Sequence, residues 1–320
     1  MTDGLIRFAA LTYILHKRMK RERPMHYLIT GGTGFIGTAL TARLTSAGHR
    51  VTVLTRQRRP DQGQVSYIDE LAALPAATVI DCVVNLAGAS LAGARWSAAY
   101  KQTIIESRLR TTGHVVDLIQ RLEHKPPVLL SASAIGYYGH HGDEVLDEEG
   151  AVAPGFSHEL CRQWEAAACA AEGAGVRVCR LRLGVVLDAD GGALEEMARP
   201  FHFGVANWLG DGSQWLSWVH REDVVNAIRF LHDRSDLRGP FNITAPEPVT
   251  SRGFCAALKQ HYRTWLTAPV PAPVMRLMVG EMAEELLLQG QRVVPARLQD
   301  AGFTFAYPSL ESALRAIHEK

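Results

Sequence analysis

The chain has 320 residues, of which 47% are hydrophobic and 21% charged, a composition typical of a globular protein with a sizeable apolar core. Lysine and arginine total 34 against 33 aspartate and glutamate residues, which gives a formal net charge of +1. This balance excludes a general attraction to nucleic acid or to an acidic membrane, and the length allows one large domain or two of about 150 residues each.

The first 24 residues form a basic leader with six basic and two acidic side chains. Its apolar stretch, residues 8–15, precedes the basic cluster, which reverses the order of a secretory signal, and it is too short to span a bilayer. Met25 begins the first predicted strand, so we predict that residues 1–24 are a dispensable extension. The alternatives are a start codon upstream of the true one, a loose amphipathic helix and a weak membrane-surface element.

A glycine-rich loop follows the first predicted strand, residues 26–29. The loop reads Thr-Gly-Gly-Thr-Gly-Phe-Ile-Gly over residues 30–37, and apolar residues at helical spacing follow over 38–47. Glycines at intervals of three suit a dinucleotide, because they permit a tight turn, let a pyrophosphate approach the backbone and let the helix pack closely. The N–H groups at the helix start then hold the diphosphate. A glycine turn without a ligand is the alternative.

Arg56 directly follows the second predicted strand, residues 50–55, and Arg58 and Arg59 lie just beyond it. Many NAD-binding folds place an acidic residue here, about 20 residues after the glycines, to bind the ribose 2′-hydroxyl. An arginine instead suits the 2′-phosphate of NADP, because its planar guanidinium matches phosphate oxygens. We therefore predict NADP(H) as the cofactor, bound by Arg56, with a solvated basic loop as the alternative.

Strand and helix patterns alternate as far as residue 185. The further predicted strands are residues 81–86, 127–130 and 177–183, and the predicted helices are residues 97–122 and 157–172. This alternation predicts an α/β fold with a Rossmann-like, doubly wound parallel sheet. Glycine, proline and aromatic residues become frequent afterwards. We predict a Rossmann domain over residues 25–185, to which later segments could return, and a smaller substrate lobe with a C-terminal helical extension over residues 186–320.

The five cysteines include no Cys-x-x-Cys pair, and the 13 histidines are scattered. Their spacing indicates neither a disulfide nor a metal site. We therefore predict no metal and an intracellular, reducing environment, which means a cytoplasmic protein.

Motifs at the strand ends carry a family resemblance. With the glycine loop, Asn-Leu-Ala-Gly at 85–88 and Ser-Ala-Ser-Ala at 131–134, the chain resembles the extended short-chain dehydrogenase/reductase superfamily, the NAD(P)-dependent epimerase/dehydratases. It is more closely similar to an atypical branch labelled epimerase family protein. The branch-like motifs are Glu-Ser-Arg at 106–108, Leu-Cys-Arg-x-Trp-Glu at 160–165, Arg-Leu-Gly-Val-Val-Leu at 182–187, Trp-Val-His-x-x-Asp at 218–223 and a tail over 290–303 similar to the branch's C-terminal domain of unknown function.

The resemblance implies the residues of the site. The residues that would line the pyrophosphate are Gly31, Thr33, Gly34, Phe35 and Ile36, and those that would pass under the adenosine ribose are Leu86, Ala87 and Gly88. Gly37 would also belong to the cofactor-binding loop. Ser133 would take the position of the catalytic serine, whose hydroxyl can donate to a substrate oxygen as charge develops. A serine that merely ends a strand is the alternative.

The superfamily's catalytic Tyr-x-x-x-Lys pair is missing. Counted back from Glu165, its positions fall on Ser157 and Cys161. Neither side chain can do the acid–base work of a tyrosine whose pKa is lowered by a neighbouring lysine. Tyr137 or Tyr138 is our candidate replacement, and a structural wedge is the alternative for either phenol.

A second departure concerns the substrate. Leu216 stands where sugar-nucleotide enzymes often carry an arginine that grips a diphosphate, and Trp208, Trp215 and Trp218 lie nearby. These tryptophans predict either an apolar pocket wall or core packing. We predict an NADP(H)-dependent oxidoreductase for a small carbonyl or hydroxyl substrate, without nucleic-acid or membrane partners. The alternatives are a sugar-nucleotide epimerase or dehydratase and a non-catalytic NADP(H)-binding or sensing module.

Overall fold

A seven-stranded parallel sheet organises the molecule, which is described by a computed structural model for residues 23–319. The strands of this part are, in chain order, β1 (His26–Thr30), β2 (Arg50–Leu54), β3 (Val65–Ile68), β4 (Cys82–Asn85), β5 (Val128–Ala134), β6 (Val145–Leu146), β7 (Arg177–Leu183), β8 (Val185–Asp188), β9 (Gly191–Gly192), β10 (Val205–Leu209), β11 (Trp215–Leu216), β12 (Trp218–His220), β13 (Gly239–Ile243), β14 (Val249–Thr250), β15 (Leu266–Val270) and β16 (Arg292–Val293). Residues 1–22 lie outside the described part, so the leader over residues 1–24 stays a prediction.

The helices complete the alternation with the strands. They are α1 (Phe35–Ser46), α2 (Ala98–Arg121), α3 (Phe156–Cys169), α4 (Ala193–His202), α5 (Arg221–Asp233), α6 (Ser251–Leu258), α7 (Ala272–Val279), α8 (Ala296–Asp300) and α9 (Leu310–His318). Short 3₁₀ turns cover Leu71–Ala73, Ile135–Tyr138 and Ala170–Ala174, and a π-helix covers Ala283–Leu288.

The sheet has the strand order β3-β2-β1-β4-β5-β7-β13, and every pairing within it is parallel. β3 and β4 follow each other in the chain but lie on opposite sides of β1, so the strand order reverses beside β1. Ligands of doubly wound sheets bind outside the carboxyl ends of the strands at such a reversal. The predicted α/β fold is confirmed, and the site is expected where β1, β4 and β5 end.

Successive residues of the central strands face two different helix layers. In β1, Tyr27 and Ile29 belong to the core that includes α1 and α5, whereas Leu28 belongs to the core beneath α2 and the end of α3. This alternation follows from the two-residue period of a strand. α2 begins directly after Ser97, whose hydroxyl accepts a hydrogen bond from the Tyr100 N–H and so caps the helix.

The sequence pattern did not predict β3 and β13, which form the two edges of the sheet. β3 is half-buried along its length, so its residues show no alternation. β13 begins with Gly239 and Pro240, and proline is tolerated on an edge strand because its missing N–H is not needed there. Arg297 of α8 donates to the Pro240 carbonyl oxygen and lies 4.3 Å from the centre of the Phe241 ring.

After residue 185 the chain builds a second layer and also returns to the sheet through α5 and β13. The second layer has its own apolar core, which includes Trp218, Phe254 and Leu314. Small sheets pair β8 with β9 and β12, β10 with β15, and β11 with β14. The division of the chain at residue 185 stays a prediction. Within residues 23–319, no helix has the length and apolar character needed to cross a membrane.

Candidate functional site

The glycine loop lies at the reversal of strand order, between β1 and α1. Gly31 has a φ of +70°, a conformation that favours glycine. A Cβ atom at Gly31 would lie 2.8 Å from the Leu86 carbonyl group, and one at Gly37 would lie 2.2 Å from the Gly31 carbonyl oxygen. These glycines therefore let α1 and the segment after β4 pack tightly around the turn.

The first turn of α1 is open to an anion. Gly34, the N-cap residue, has no capping side chain, and the first turn contains no acidic residue. The N–H groups of Phe35 and Ile36 therefore lack intrahelical partners, as at any helix start. They lie at the positive end of the helix, which favours a phosphate. Thr33 is half-buried in the same turn. The geometry fits the predicted diphosphate site, although contact with a diphosphate stays a prediction.

A buried polar network fixes this loop relative to the next strands. The Thr30 hydroxyl donates to Asn85 Oδ1 at 2.6 Å and accepts from the Ala87 N–H at 3.2 Å. The Asn85 amide in turn donates to the hydroxyls of Thr112 and Ser131. The ends of β1 and β4 and the middle of β5 are thereby joined to α2, which holds Leu86, Ala87 and Gly88 beside the glycine loop.

Arg108 of α2 is a candidate site residue to which the sequence analysis assigned no role. Its side chain is buried, donates to the carbonyl oxygens of Ala89 and Ile104, and lies 5.1 Å from the Trp164 ring. A Cβ atom at Gly88 would lie 3.0 Å from Arg108 Cζ. Burial lowers the pKa of this guanidinium, and within residues 23–319 it pairs with no carboxylate. A buried charge without a counter-charge is costly, so this position suits an anionic or polyhydroxyl ligand.

An open groove of about 510 Å³ lies beyond the end of β2. Its lining residues are Arg56, Gln57, Arg58, Arg59, Pro60, Tyr67, Ile68 and Asp69. The Arg59 guanidinium is held by Gln57 Oε1. Arg56 is exposed and forms no ion pair with any carboxylate in the described residues. Its guanidinium is therefore free to bind a phosphate in this groove.

Ser133 lies next to the last residue of β5, but its hydroxyl is already engaged. The side chain is 1% exposed, and Oγ donates to Glu165 Oε1 at 2.8 Å. Glu165 also accepts from Arg182 at 2.9 Å and 3.1 Å and from Arg180 at 3.2 Å. Donation from Ser133 to a substrate oxygen would thus require the hydroxyl to turn away from Glu165. Its catalytic role stays a prediction.

The two tyrosines proposed as acid–base groups, Tyr137 and Tyr138, both lie against the Arg182 guanidinium. Tyr138 is fully buried, donates to Asn242 Oδ1 at 2.7 Å and accepts from Arg182 at 2.9 Å. Burial raises the pKa of this phenol to about 12, so it stays protonated near pH 7. This environment favours the structural wedge, and the acid–base role of Tyr138 stays a prediction. The Tyr137 ring is half-buried, and its centre lies 3.5 Å from the Arg182 guanidinium.

Tyr138→Phe is expected to lower the free energy of unfolding by about 1–3 kcal/mol, because it leaves a buried Arg182 donor and the Asn242 oxygen without their partner. The affinity for NADPH should not change. Urea denaturation and calorimetry measure the two quantities. Tyr137→Phe is the matched control, since its hydroxyl has no hydrogen bond within residues 23–319. Equal stability losses in both variants would contradict this assignment.

Ser157 and Cys161 share one face of α3, because residues four apart in a helix are neighbours on its surface. A Cβ atom at Gly136 would lie 3.1 Å from Ser157 Cβ and 3.8 Å from Cys161 Sγ. Burial, followed by the charge of Glu165, raises the pKa of the Cys161 thiol to about 12. This thiol stays neutral near pH 7 and cannot replace a lysine. The Ser157 hydroxyl donates to Glu285 Oε2 at 2.9 Å, a contact that no sequence motif indicated.

The tryptophans near Leu216 divide between core and surface. Trp218 is fully buried, and its indole N–H donates to the Glu247 carbonyl oxygen. Trp215 is half-buried between the Arg292 guanidinium, 4.3 Å from its ring centre, and Asp143, to which its N–H donates. Leu216 packs at the margin of the second layer's core. Core packing therefore accounts for Trp218 and Leu216.

The described residues give no metal site. No group of three or more histidine, cysteine or acidic side chains within residues 23–319 could hold a metal ion. The cysteines of this part are free thiols: Cys82, Cys161, Cys169, Cys179 and Cys255.

Comparisons with known proteins identify relatives of this chain. Residues 27–244 match the model of the NAD dependent epimerase/dehydratase family, and residues 270–317 match a domain of unknown function, DUF1731. Epimerase family protein SH2119 of Staphylococcus haemolyticus is 40% identical over 299 residues, which cover 91% of this chain and 98% of that protein.

Two solved structures are similar over most of the chain. The structure of human epimerase family protein SDR39U1 with NADPH has a TM-score of 0.82 and 32% identity, and the match covers 92% of this chain and 100% of that one. The nucleoside-diphosphate sugar epimerase from Corynebacterium glutamicum has a TM-score of 0.75 and 31% identity, with 92% of this chain and 58% of that one covered.

Proposed function

Because the chain belongs to the NAD dependent epimerase/dehydratase family, as its motifs predicted, we propose that it binds NADP(H) and catalyses hydride transfer on a small carbonyl or hydroxyl substrate. The family supports dinucleotide binding, and the similar human protein crystallised with NADPH supports the phosphorylated form of the cofactor. The side chains of this chain supply the rest of the argument.

The residues present fit a dinucleotide at the reversal of strand order. The open first turn of α1 and the tightly packed Gly31 and Gly37 suit the diphosphate. Leu86–Gly88 and the buried Arg108, which has no carboxylate partner within residues 23–319, would border the adjoining sugar of the cofactor. When bound, NADP(H) supplies or accepts the hydride.

Arg56 is the single observation that carries the choice of NADP(H) over NAD(H). It follows the end of β2, lines an open groove and has no carboxylate partner among the described residues. A carboxylate here would repel the 2′-phosphate, whereas a free guanidinium matches it with charge-assisted hydrogen bonds.

In the wild type, NADPH should bind about ten- to a hundredfold more tightly than NADH, because a charge-assisted contact contributes about 1.5–3 kcal/mol. Arg56→Ala should remove most of this preference by weakening NADPH binding and leaving NADH binding unchanged. Calorimetry with both nucleotides measures the effect. Arg199→Ala, an exposed arginine on α4, is the matched control. Equal affinity for both nucleotides in the wild type would refute the assignment.

For the reaction itself, we propose that Ser133 orients the substrate oxygen after exchanging its hydrogen bond to Glu165. This hydroxyl lies at the carboxyl end of β5, beside the Cys161 thiol. Turnover of a carbonyl substrate should therefore be slower in Ser133→Ala than in the wild type, while the affinity for NADPH should not change.

Two other functions each have one supporting observation. A sugar-nucleotide epimerase is supported by the similar protein from Corynebacterium glutamicum. Against it, Leu216 stands where such enzymes often carry an arginine that binds the diphosphate. A non-catalytic NADP(H)-binding module is supported by Ser157 and Cys161, which cannot transfer protons as tyrosine and lysine do. It predicts tight NADPH binding without turnover of any substrate.

A further inference from the structure

The C-terminal segment brings a carboxylate to the place where the superfamily's tyrosine would stand. Glu285 lies in the π-helix Ala283–Leu288, and its Oε2 accepts from the Ser157 hydroxyl at 2.9 Å and from the Ser157 N–H at 3.2 Å. π-helical turns are rare and often occur at functional sites. The contact fixes the carboxylate at the first turn of α3, on the helix face that also carries Cys161.

Glu285 keeps one oxygen free. Oε1 makes no hydrogen bond within residues 23–319, and the side chain is half-buried rather than sealed in the core. Beside it, Phe156 and Leu286 belong to an apolar cluster built around Trp96 and Leu160. An ionised carboxylate oxygen accepts hydrogen bonds only. The free oxygen of Glu285 lies at the edge of this apolar cluster, so it can accept a hydrogen bond from a bound hydroxyl group.

The other titratable groups near Ser157 are engaged elsewhere. His158 Nδ1 is hydrogen-bonded to the Tyr137 carbonyl oxygen, and the His158 ring packs against the Tyr137 ring. The Tyr138 phenol is buried and hydrogen-bonded on both sides. The Cys161 thiol is 2% exposed. The Tyr137 ring lies against the Arg182 guanidinium. Glu285 combines access, a titratable group and an unoccupied acceptor atom.

We propose that Glu285 is the proton-transferring group of this site, in place of the missing tyrosine. The proposal rests on the proposed hydride-transfer function. In oxidation, the O–H bond of a substrate alcohol breaks and its proton goes to Glu285 Oε1. The hydrogen on the adjacent carbon leaves with its electron pair to the oxidised nicotinamide cofactor, and the C=O bond forms. In reduction the proton returns to the carbonyl oxygen.

This assignment also defines the substrate class. A carboxylate beside the reacting oxygen repels an anionic group at that position. The reacting end of the substrate is therefore an uncharged alcohol or its carbonyl partner.

Glu285→Gln tests the assignment, because the amide oxygen can still accept from Ser157 while the side chain can no longer take up a proton. With NADPH and 4-nitrobenzaldehyde, kcat should fall about 10²–10⁴-fold, the usual contribution of acid–base catalysis. KM and the Kd for NADPH should stay within a few-fold of the wild type. Glu284→Gln is the matched control, since Glu284 is the neighbouring residue of the same π-helix and pairs with Arg276. It should behave as the wild type.

A second readout does not depend on turnover. In protein labelled with ¹³C at the glutamate side-chain carboxyl carbons, the resonance missing from Glu285→Gln identifies Glu285. This resonance should shift when 4-nitrobenzyl alcohol is added to the NADP⁺-bound protein, and that of Glu284 should not. Glu285→Asp provides the same assignment should the glutamine variant fail to fold.

The outcomes separate the two proposals. Failure of the wild-type chain to bind NADPH would refute the proposed function and this assignment with it. NADPH binding with equal turnover in the wild type and Glu285→Gln would overturn the Glu285 assignment alone. So would an unmoved Glu285 resonance together with no turnover of either probe, or a comparable loss of turnover in Tyr137→Phe.

Discussion

Replacing Glu165 with alanine is expected to lower the free energy of unfolding by about 3–5 kcal/mol, which is the usual cost of breaking a buried ion pair from one side. Glu165 and Arg182 are 4% and 2% exposed, and two hydrogen bonds join them. The variant leaves the Arg182 guanidinium inside the protein without its counter-charge and Ser133 without its acceptor. Urea denaturation measures the loss.

Glu159→Ala is the matched control for Glu165→Ala. Glu159 lies on the same helix, is exposed and pairs with Arg162 one turn away. Exposed pairs of this kind contribute little because water screens them, so stability should hardly change. If the two alanine variants unfold at the same urea concentration, the Glu165–Arg182 pair does not stabilise the protein as argued.

Gly37→Ala is expected to weaken NADPH binding by about a hundredfold or more. In free energy, a hundredfold loss lies near the upper end of the cost of overpacking a protein interior, about 1–3 kcal/mol. The added Cβ atom would lie 2.2 Å from the Gly31 carbonyl oxygen and 2.6 Å from Gly32 Cα. These are backbone atoms, so α1 must move away from the loop whose amides are proposed to hold the diphosphate. Calorimetry with NADPH measures the effect.

Gly113→Ala makes the same chemical change where nothing obstructs it. Gly113 lies in the middle of α2, and a Cβ atom there would meet no atom within 4 Å. Alanine in a helix interior should stabilise the protein by about 0.5–1 kcal/mol, and NADPH binding should be unchanged. A Gly37→Ala variant that binds NADPH as tightly as Gly113→Ala does would show that α1 tolerates the displacement.

Local patterns predicted the elements that surround the proposed cofactor site. The apolar runs of β1, β4 and β7 and the turn glycines are properties of short stretches of chain, so periodicity and spacing were enough. β3 and β13 escaped prediction because edge strands are partly exposed and have no clear alternation. In β13, the opening Gly239-Pro240 pair also resembles a turn.

The side chains of the site were harder to predict, because their partners are distant in sequence. Arg108 could have been found from the sequence, since it lies on the same buried face of α2 as Ile104 and Val115. A charged residue on a buried helix face usually has a binding partner or a function. Tyr138 was a candidate acid–base group because it lies only five residues after Ser133 in the sequence. The fold, however, places Arg182 and Asn242 around it. Glu285 gave no signal, since its contact with Ser157 spans 128 residues.

The position of Arg297 bears on one exposed edge of the sheet. The terminal strand of a sheet exposes unpaired backbone groups to which a strand of another molecule can add. In β13, Pro240 offers no N–H, and the Arg297 guanidinium occupies the carbonyl oxygens of Pro240 and Arg238. The positive charge and the covered carbonyls together block strand addition at this edge. The C-terminal part of the chain therefore shields one edge of the sheet from the addition of another strand.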